Sequence, residues 1–119
     1  MKTRKQGLKP LQKQADRLYQ EKLIKLKPFS VVSRRPTEVI HHYIPKSQSA
    51  YLRFDWDNGV PLTNSEHFAH HTKGDPEIAA AILRHYGEEW HDILNRRRHI
   101  IQKTNKSYLL EIIEDFTKL

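Results

Sequence analysis

The sequence predicts an α+β fold that is mostly helical, a small hairpin-and-helix unit flanked by an N-terminal helix and by C-terminal helices. Three observations lead there. Apolar residues recur at helical spacing over most of the chain. Only two short stretches, Glu38–Ile44 and Val60–Leu62, have the β-branched and aromatic character of strands. The 119 residues, 37% hydrophobic and free of cysteine, suit one small domain with neither a disulfide framework nor a thiolate zinc site.

Residues 1–9 are polar and basic and read as a loose arm. From Pro10 to Lys27 the residues Leu11, Ala15, Leu18, Tyr19, Leu23 and Leu26 mark one face of an amphipathic helix, which Pro28 ends. Phe29–Pro36, with Ser30, Ser33, Arg34 and Arg35, suits a turn or short hairpin. Glu38–Ile44 reads as a strand closed by Pro45, and Val60–Leu62 as its partner beyond the turn cue Asp57-Asn58-Gly59. Asn64 or Ser65 is a candidate cap for a helix to about Thr72, and Asp75-Pro76 opens another that buries Ile78, Ile82, Leu83 and Tyr86 and stops at Gly87. Trp90, Ile93, Leu94, Ile100 and Ile101 define a further helix. A last one starts near Lys106 and turns Leu109, Ile112, Ile113 and Phe116 inward. The chain thus divides into an arm and helix (1–27), a hairpin-and-helix unit (28–76) and packing helices (77–119), one compact domain in all.

Charge points to a polyanion. Residues 1–35 hold 11 basic and 2 acidic side chains, whereas 36–119 hold 10 and 12. Lysine and arginine that meet phosphates release condensed counterions, so nucleic acid is the expected partner. No apolar run reaches the roughly 18 to 20 residues that cross a bilayer, and the N-terminus lacks a signal-peptide core, so a cytoplasmic protein without a membrane partner is expected.

Five of eight histidines, His41, His42, His67, His70 and His71, fall within 31 residues. His67 and His71 are four apart on a helix, where one cation can bridge them, and His70 shares that face. His41 and His42 are neighbours on a strand and point to opposite faces, so they cannot serve the same cation in regular geometry. His85, His91 and His99 read as packing residues.

This arrangement resembles the HNH endonuclease family. His41-His42 is followed by Asn58 sixteen positions later, His67 nine further on and His71 four after that. The phrases Glu38-Val39-Ile40-His41-His42-Tyr43-Ile44-Pro45-Lys46-Ser47 and Leu52-Arg53-Phe54-Asp55-Trp56-Asp57-Asn58 look like those of phage and bacterial members, some linked to recombination. The resemblance covers about residues 28–76. It implies a ββα-metal unit that hydrolyses DNA phosphodiester bonds, in a bacterial cytoplasm at the nucleoid, with recombination proteins as partners. His42 would be the general base that takes a proton from water, as an imidazole can near neutral pH. Asn58 would hold the His42 loop in register. His41 and His67 would be metal ligands, and His71 either a third ligand, a place His70 also competes for, or a phosphate contact. Lys46 and Arg53 would contact the phosphates flanking the scissile bond. One divalent ion, magnesium, manganese, zinc or nickel, would act as Lewis acid, and the products would carry 5′ phosphate and 3′ hydroxyl groups.

Many members also hold a structural zinc on two Cys-x-x-Cys pairs. The matching positions here are Ser30 with Ser33 and Thr63 with Glu66, so no structural zinc is expected and packing must stabilise the unit. The alternative is a non-catalytic DNA-binding module of phage or prophage origin, which the basic charge supports equally. A zinc peptidase lacks its H-E-x-x-H order, since Glu66 precedes His67 and no Glu follows a candidate ligand. Arg34-Arg35 and Arg96-Arg97-Arg98 are further basic clusters, and Tyr51 and Trp56 can stack on bases or fill the small core, the core being the safer reading.

Overall fold

The computed structural model describes residues 4–119, with side chains from residue 7 onward. Helix α1 (Arg4–Leu26) is followed by strands β1 (Val39–His42) and β2 (Gly59–Leu62), then by α2 (Asn64–His71), α3 (Pro76–Tyr86), α4 (Glu88–Arg97) and α5 (Lys106–Thr117). The fold is therefore α+β and mostly helical, as the sequence predicts. No helix among the described residues is long and apolar enough to cross a membrane.

The strands pair antiparallel, with Val39 opposite Leu62, Ile40 opposite Pro61, His41 opposite Val60 and His42 opposite Gly59. Pro61 is tolerated because its missing N–H is not needed for the ladder, while its carbonyl accepts from Val31 N–H. Two short 3₁₀ turns, Leu52–Phe54 and Trp56–Asn58, lie in the connection between the strands. Asp57-Asn58-Gly59 is thus the end of a helical turn rather than a tight hairpin loop. The segment after α1 makes the expected small hairpin, with a bridge between Phe29 and Pro36.

The hairpin is packed from both sides. Ala15, Leu18, Tyr19 and Leu23 of α1 meet Ile40, Phe54, and Leu109 and Phe116 of α5, all buried. Val60 and Leu62 pack on Ile78 and Ile82 of α3, and Ile44 and Leu52 on Leu94 of α4. Gly59 permits the approach of α1: a Cβ there would lie 2.7 Å from the Tyr19 hydroxyl and 2.9 Å from Leu23 Cδ1.

Three boundaries differ from the sequence reading. Residues 4–9 belong to α1, so the arm is helical there, and Pro10 lies inside the helix, where its missing N–H costs one bond to the preceding turn; residues 1–3 fall outside the described part. The cap of α2 is Thr63 rather than Asn64 or Ser65. Its Oγ1 accepts the Glu66 N–H at 3.2 Å while the Glu66 carboxylate accepts the Thr63 N–H at 2.8 Å, a reciprocal box. Helix α4 ends at Arg97, and Ile100 and Ile101 lie beyond it, Ile101 96% exposed. Carbonyls of the last turns are taken at close range by the N–H groups of Arg98, His99 and Ile100. Arg97 binds Asp55 and Asp57, and Arg98 binds Gln48, so the arginine cluster pins the helix end to the hairpin connection.

Candidate metal centre and active site

The pleat separates the two strand histidines. His41, 8% exposed, faces α2: its ring centroid lies 5.2 Å from that of His67 and 4.9 Å from that of His70. His71 stacks on His67 at 5.5 Å. Together with His42, Gln20, Lys46 and Ser47, the rings of His41, His67 and His71 border a cleft of about 410 Å³.

His41, His67 and His70 stand neutral at neutral pH. Burial, and then the nearby rings of His70, His67, His42 and His71, push His41 down to about 3. Burial and His71 and His70 lower His67, and burial and His71 lower His70 against an opposing pull from Asp75. Crowded, partly buried imidazoles resist protonation because each added charge would face the others with little water between them. Neutral rings keep the lone pairs that a borderline cation takes. One such nitrogen, Nδ1 of His70, is buried without any hydrogen-bond partner.

The donor chemistry therefore fits a divalent ion. His41 and His67 would hold it, with His71 or His70 as the third donor. Among the described residues, no three His, Asp or Glu side chains are arranged as they stand to hold an ion together.

His42 is held differently. Its Nε2 lies 2.9 Å from the carbonyl oxygen of Arg53. A carbonyl only accepts, so Nε2 carries the proton and donates, and in a neutral ring Nδ1 is left bare. The ring stacks on Tyr19 at a centroid distance of 4.8 Å and an interplanar angle of 17°. Burial lowers its affinity for a proton; the bond to Arg53 opposes this, Lys46 and Arg53 add to it, and Asp16 opposes it.

Asn58 is fully buried and touches no part of the cleft. Its Oδ1 accepts Ile44 N–H at 2.8 Å, and its Nδ2 donates to the carbonyls of Ile44 at 2.9 Å and Leu52 at 3.2 Å. With Tyr43 N–H donating to its carbonyl, Asn58 ties the exit of β1 to the start of β2. It braces the loop that follows His42 through backbone groups alone.

Lys46 is exposed at the rim of the cleft. Arg53 stands elsewhere than the phosphate-contact expectation put it: its guanidinium is gripped by both oxygens of Asp16, at 2.9 and 2.6 Å, and its share in the site is its carbonyl. Of the other histidines, His91 is held between Tyr43 and Asn95, and His85 and His99 are exposed.

The four positions at which the resembled family carries zinc-binding cysteines also come together. Ser30 Oγ donates to Glu66 Oε1 at 2.6 Å and accepts from the N–H groups of Val32 and Ser33, while Glu66 also takes the Thr63 N–H. A hydrogen-bonded knot thus joins the first small hairpin to the start of α2.

The residues that sequence reasoning missed are on α1. Asp16 and Gln20 join Tyr19, which was read only as part of the apolar stripe. Gln20 pairs with both N–H and C=O of Ile40, each at 2.8 Å, on the side of β1 that β2 leaves open. The signal was present: two polar residues flank an apolar stripe at i and i+4. Comparison with protein-family models, with curated proteins and with solved structures finds no match, so these residues carry the functional argument alone.

Proposed function

We propose that the chain is a metal-dependent endonuclease of the HNH type, cutting DNA phosphodiester bonds with His42 as general base. The observation that carries the reading is the pairing of two kinds of imidazole on one cleft. His42 has its Nε2 proton tied to the Arg53 carbonyl, and across the cleft lie further imidazoles, His41 and His67 neutral among them, with lone pairs for an ion. Bare Nδ1 of His42 accepts a proton from water as the water attacks phosphorus, and the lowered proton affinity keeps it bare near neutral pH. A bound divalent ion supplies Lewis-acid stabilisation of the charge that gathers on the phosphate. Lys46 at the rim meets a neighbouring phosphate, and the basic first third of the chain attracts the duplex. A site this small reads backbone more than bases, which favours nicking or structure-directed cutting. The cytoplasm, where bacterial or phage DNA is met, is the matching compartment, and recombination proteins the matching partners.

Plasmid nicking after chelation and add-back of magnesium, manganese, nickel or zinc tests this. Wild type is expected to convert supercoiled plasmid to open circle only with metal. His42→Ala is expected to bind metal and DNA normally and to nick at least about 100-fold more slowly. Binding without cutting, under every metal and on branched substrates too, replaces the enzyme by a DNA-docking module.

A further inference from the structure

Helix α1 reaches the hairpin through polar side chains as well as apolar ones, and they converge on His42. The Arg53 carbonyl that takes the His42 Nε2 proton belongs to a three-residue 3₁₀ turn. On one side that turn is held by Asn58, which binds the Leu52 carbonyl. On the other it is held by the two-point grip of Asp16 on the Arg53 guanidinium, Nε to Oδ1 and Nη2 to Oδ2. A planar fork met by both carboxylate oxygens fixes direction as well as distance. Tyr19, one turn along, closes the other degree of freedom: its ring lies flat against His42, and its hydroxyl donates to the Asp55 carbonyl at 3.0 Å.

Resting on the nuclease reading, we infer that Asp16 is a positioning residue for the general base. It anchors Arg53, so that the Arg53 carbonyl selects the Nε2–H form of His42 and turns Nδ1 to the reacting water, while Tyr19 sets the plane of the ring. Asp16 touches neither substrate nor ion. Its effect runs through a backbone carbonyl, as partners behind a catalytic or metal-binding imidazole commonly act by fixing its tautomer.

The test pairs a spectrum with kinetics. In metal-free, ¹⁵N-labelled protein at about pH 8, where an imidazole is neutral, long-range ¹H–¹⁵N correlations distinguish protonated from bare ring nitrogens. Wild type is expected to show His42 in the Nε2–H form alone. Asp16→Asn is expected to show a mixture, with kcat for nicking down about 10- to 100-fold and KM for DNA no higher, because the substitution removes an anion and leaves the Arg53 cation free. Arg53→Ala, which removes the other half of the grip, is expected to give the same mixture, and Asp16→Glu to restore most of the wild-type spectrum and rate. A single Nε2–H form in both Asp16→Asn and Arg53→Ala overturns the inference, as does a loss that appears equally in kcat and in the folded fraction. A wild type that never nicks sinks the nuclease reading instead, and the spectra still decide what Asp16 does.

Discussion

Helix α2 has a polar cluster at each end, and the two are built on opposite terms. At its start, Ser30, Thr63 and Glu66 satisfy one another and the nearby backbone. At its end, the rings of His67 and His70 lie against His41, His71 stacks on His67, and Nδ1 of His70 is buried and unpartnered. A buried polar group without a partner lowers stability, so folding alone gives no reason to gather four imidazoles there. The contrast teaches that the first cluster holds the unit together, whereas the second does not satisfy itself, which is what the proposed metal site asks of it.

The largest effect is expected where satisfied polar groups are deepest. Asn58→Ala strands the Ile44 N–H and the Ile44 and Leu52 carbonyls and is expected to cost about 3 kcal/mol or more, read as a lower midpoint in urea. Glu66→Ala breaks the knot at the start of α2, with an expected loss of about 2 kcal/mol and unchanged metal affinity by calorimetry. Equal loss of metal binding in Glu66→Ala would erase the distinction between the two ends.

Acid sharpens the comparison from the other side. His41 titrates near 3 in the folded chain and near the ordinary imidazole value of about 6.5 when unfolded. Above 6.5 both states are neutral there and nothing is lost; as pH falls from 6.5 toward 3 the unfolded chain takes up the proton first, and the fold weakens. Chelated protein should therefore lose thermal stability between pH 7 and pH 5, earlier than carboxylate titration explains. Glu66 behaves later. Burial pushes its carboxyl up, but bonds from Ser30, Thr63 and Ser33 outweigh this and hold it low, so its stabilising share persists above the ordinary carboxyl range and fades as pH drops through its lowered value. Zinc at 100 times its dissociation constant should raise stability by about 2.7 kcal/mol at neutral pH, and far less once the rings are protonated.

The smallest effect has the opposite sign. His70→Leu removes a buried nitrogen with no partner, so the metal-free protein should gain about 1 kcal/mol in urea unfolding. If it loses stability instead, His70 is a packing residue and the end of α2 is no more open than its start.

Much of this was legible in the sequence, and what was not has a physical reason. The hairpin and its helix follow from the β-branched run at Val39–Ile40 and from Thr63 and Glu66 at box spacing, although Asn64 and Ser65 are equally good cap residues by type and compete with Thr63 in the sequence. The split of His41 from His42 follows from strand alternation alone. Arg53 was misplaced because its charge suggests a phosphate, whereas the nearest anion is Asp16, 37 positions away, which no local pattern reveals. Ile100 and Ile101 continue the apolar count of α4 but not its hydrogen bonds, since periodicity does not register where carbonyls find other donors.

The packing of α1 on α5 has a consequence for timing. Tyr19, the wall behind His42, is itself met edge-on by Phe116 at 5.9 Å, and Leu109 lies in the same buried group. These contacts join segments about ninety residues apart, the kind of closure that forms late in folding. On the ribosome the imidazoles and the hairpin emerge before the residues that press α1 into place. A nascent chain thus carries every chemical group of the candidate site while lacking the support that orients them, and on the proposed reading the site is assembled only once α5 has been made.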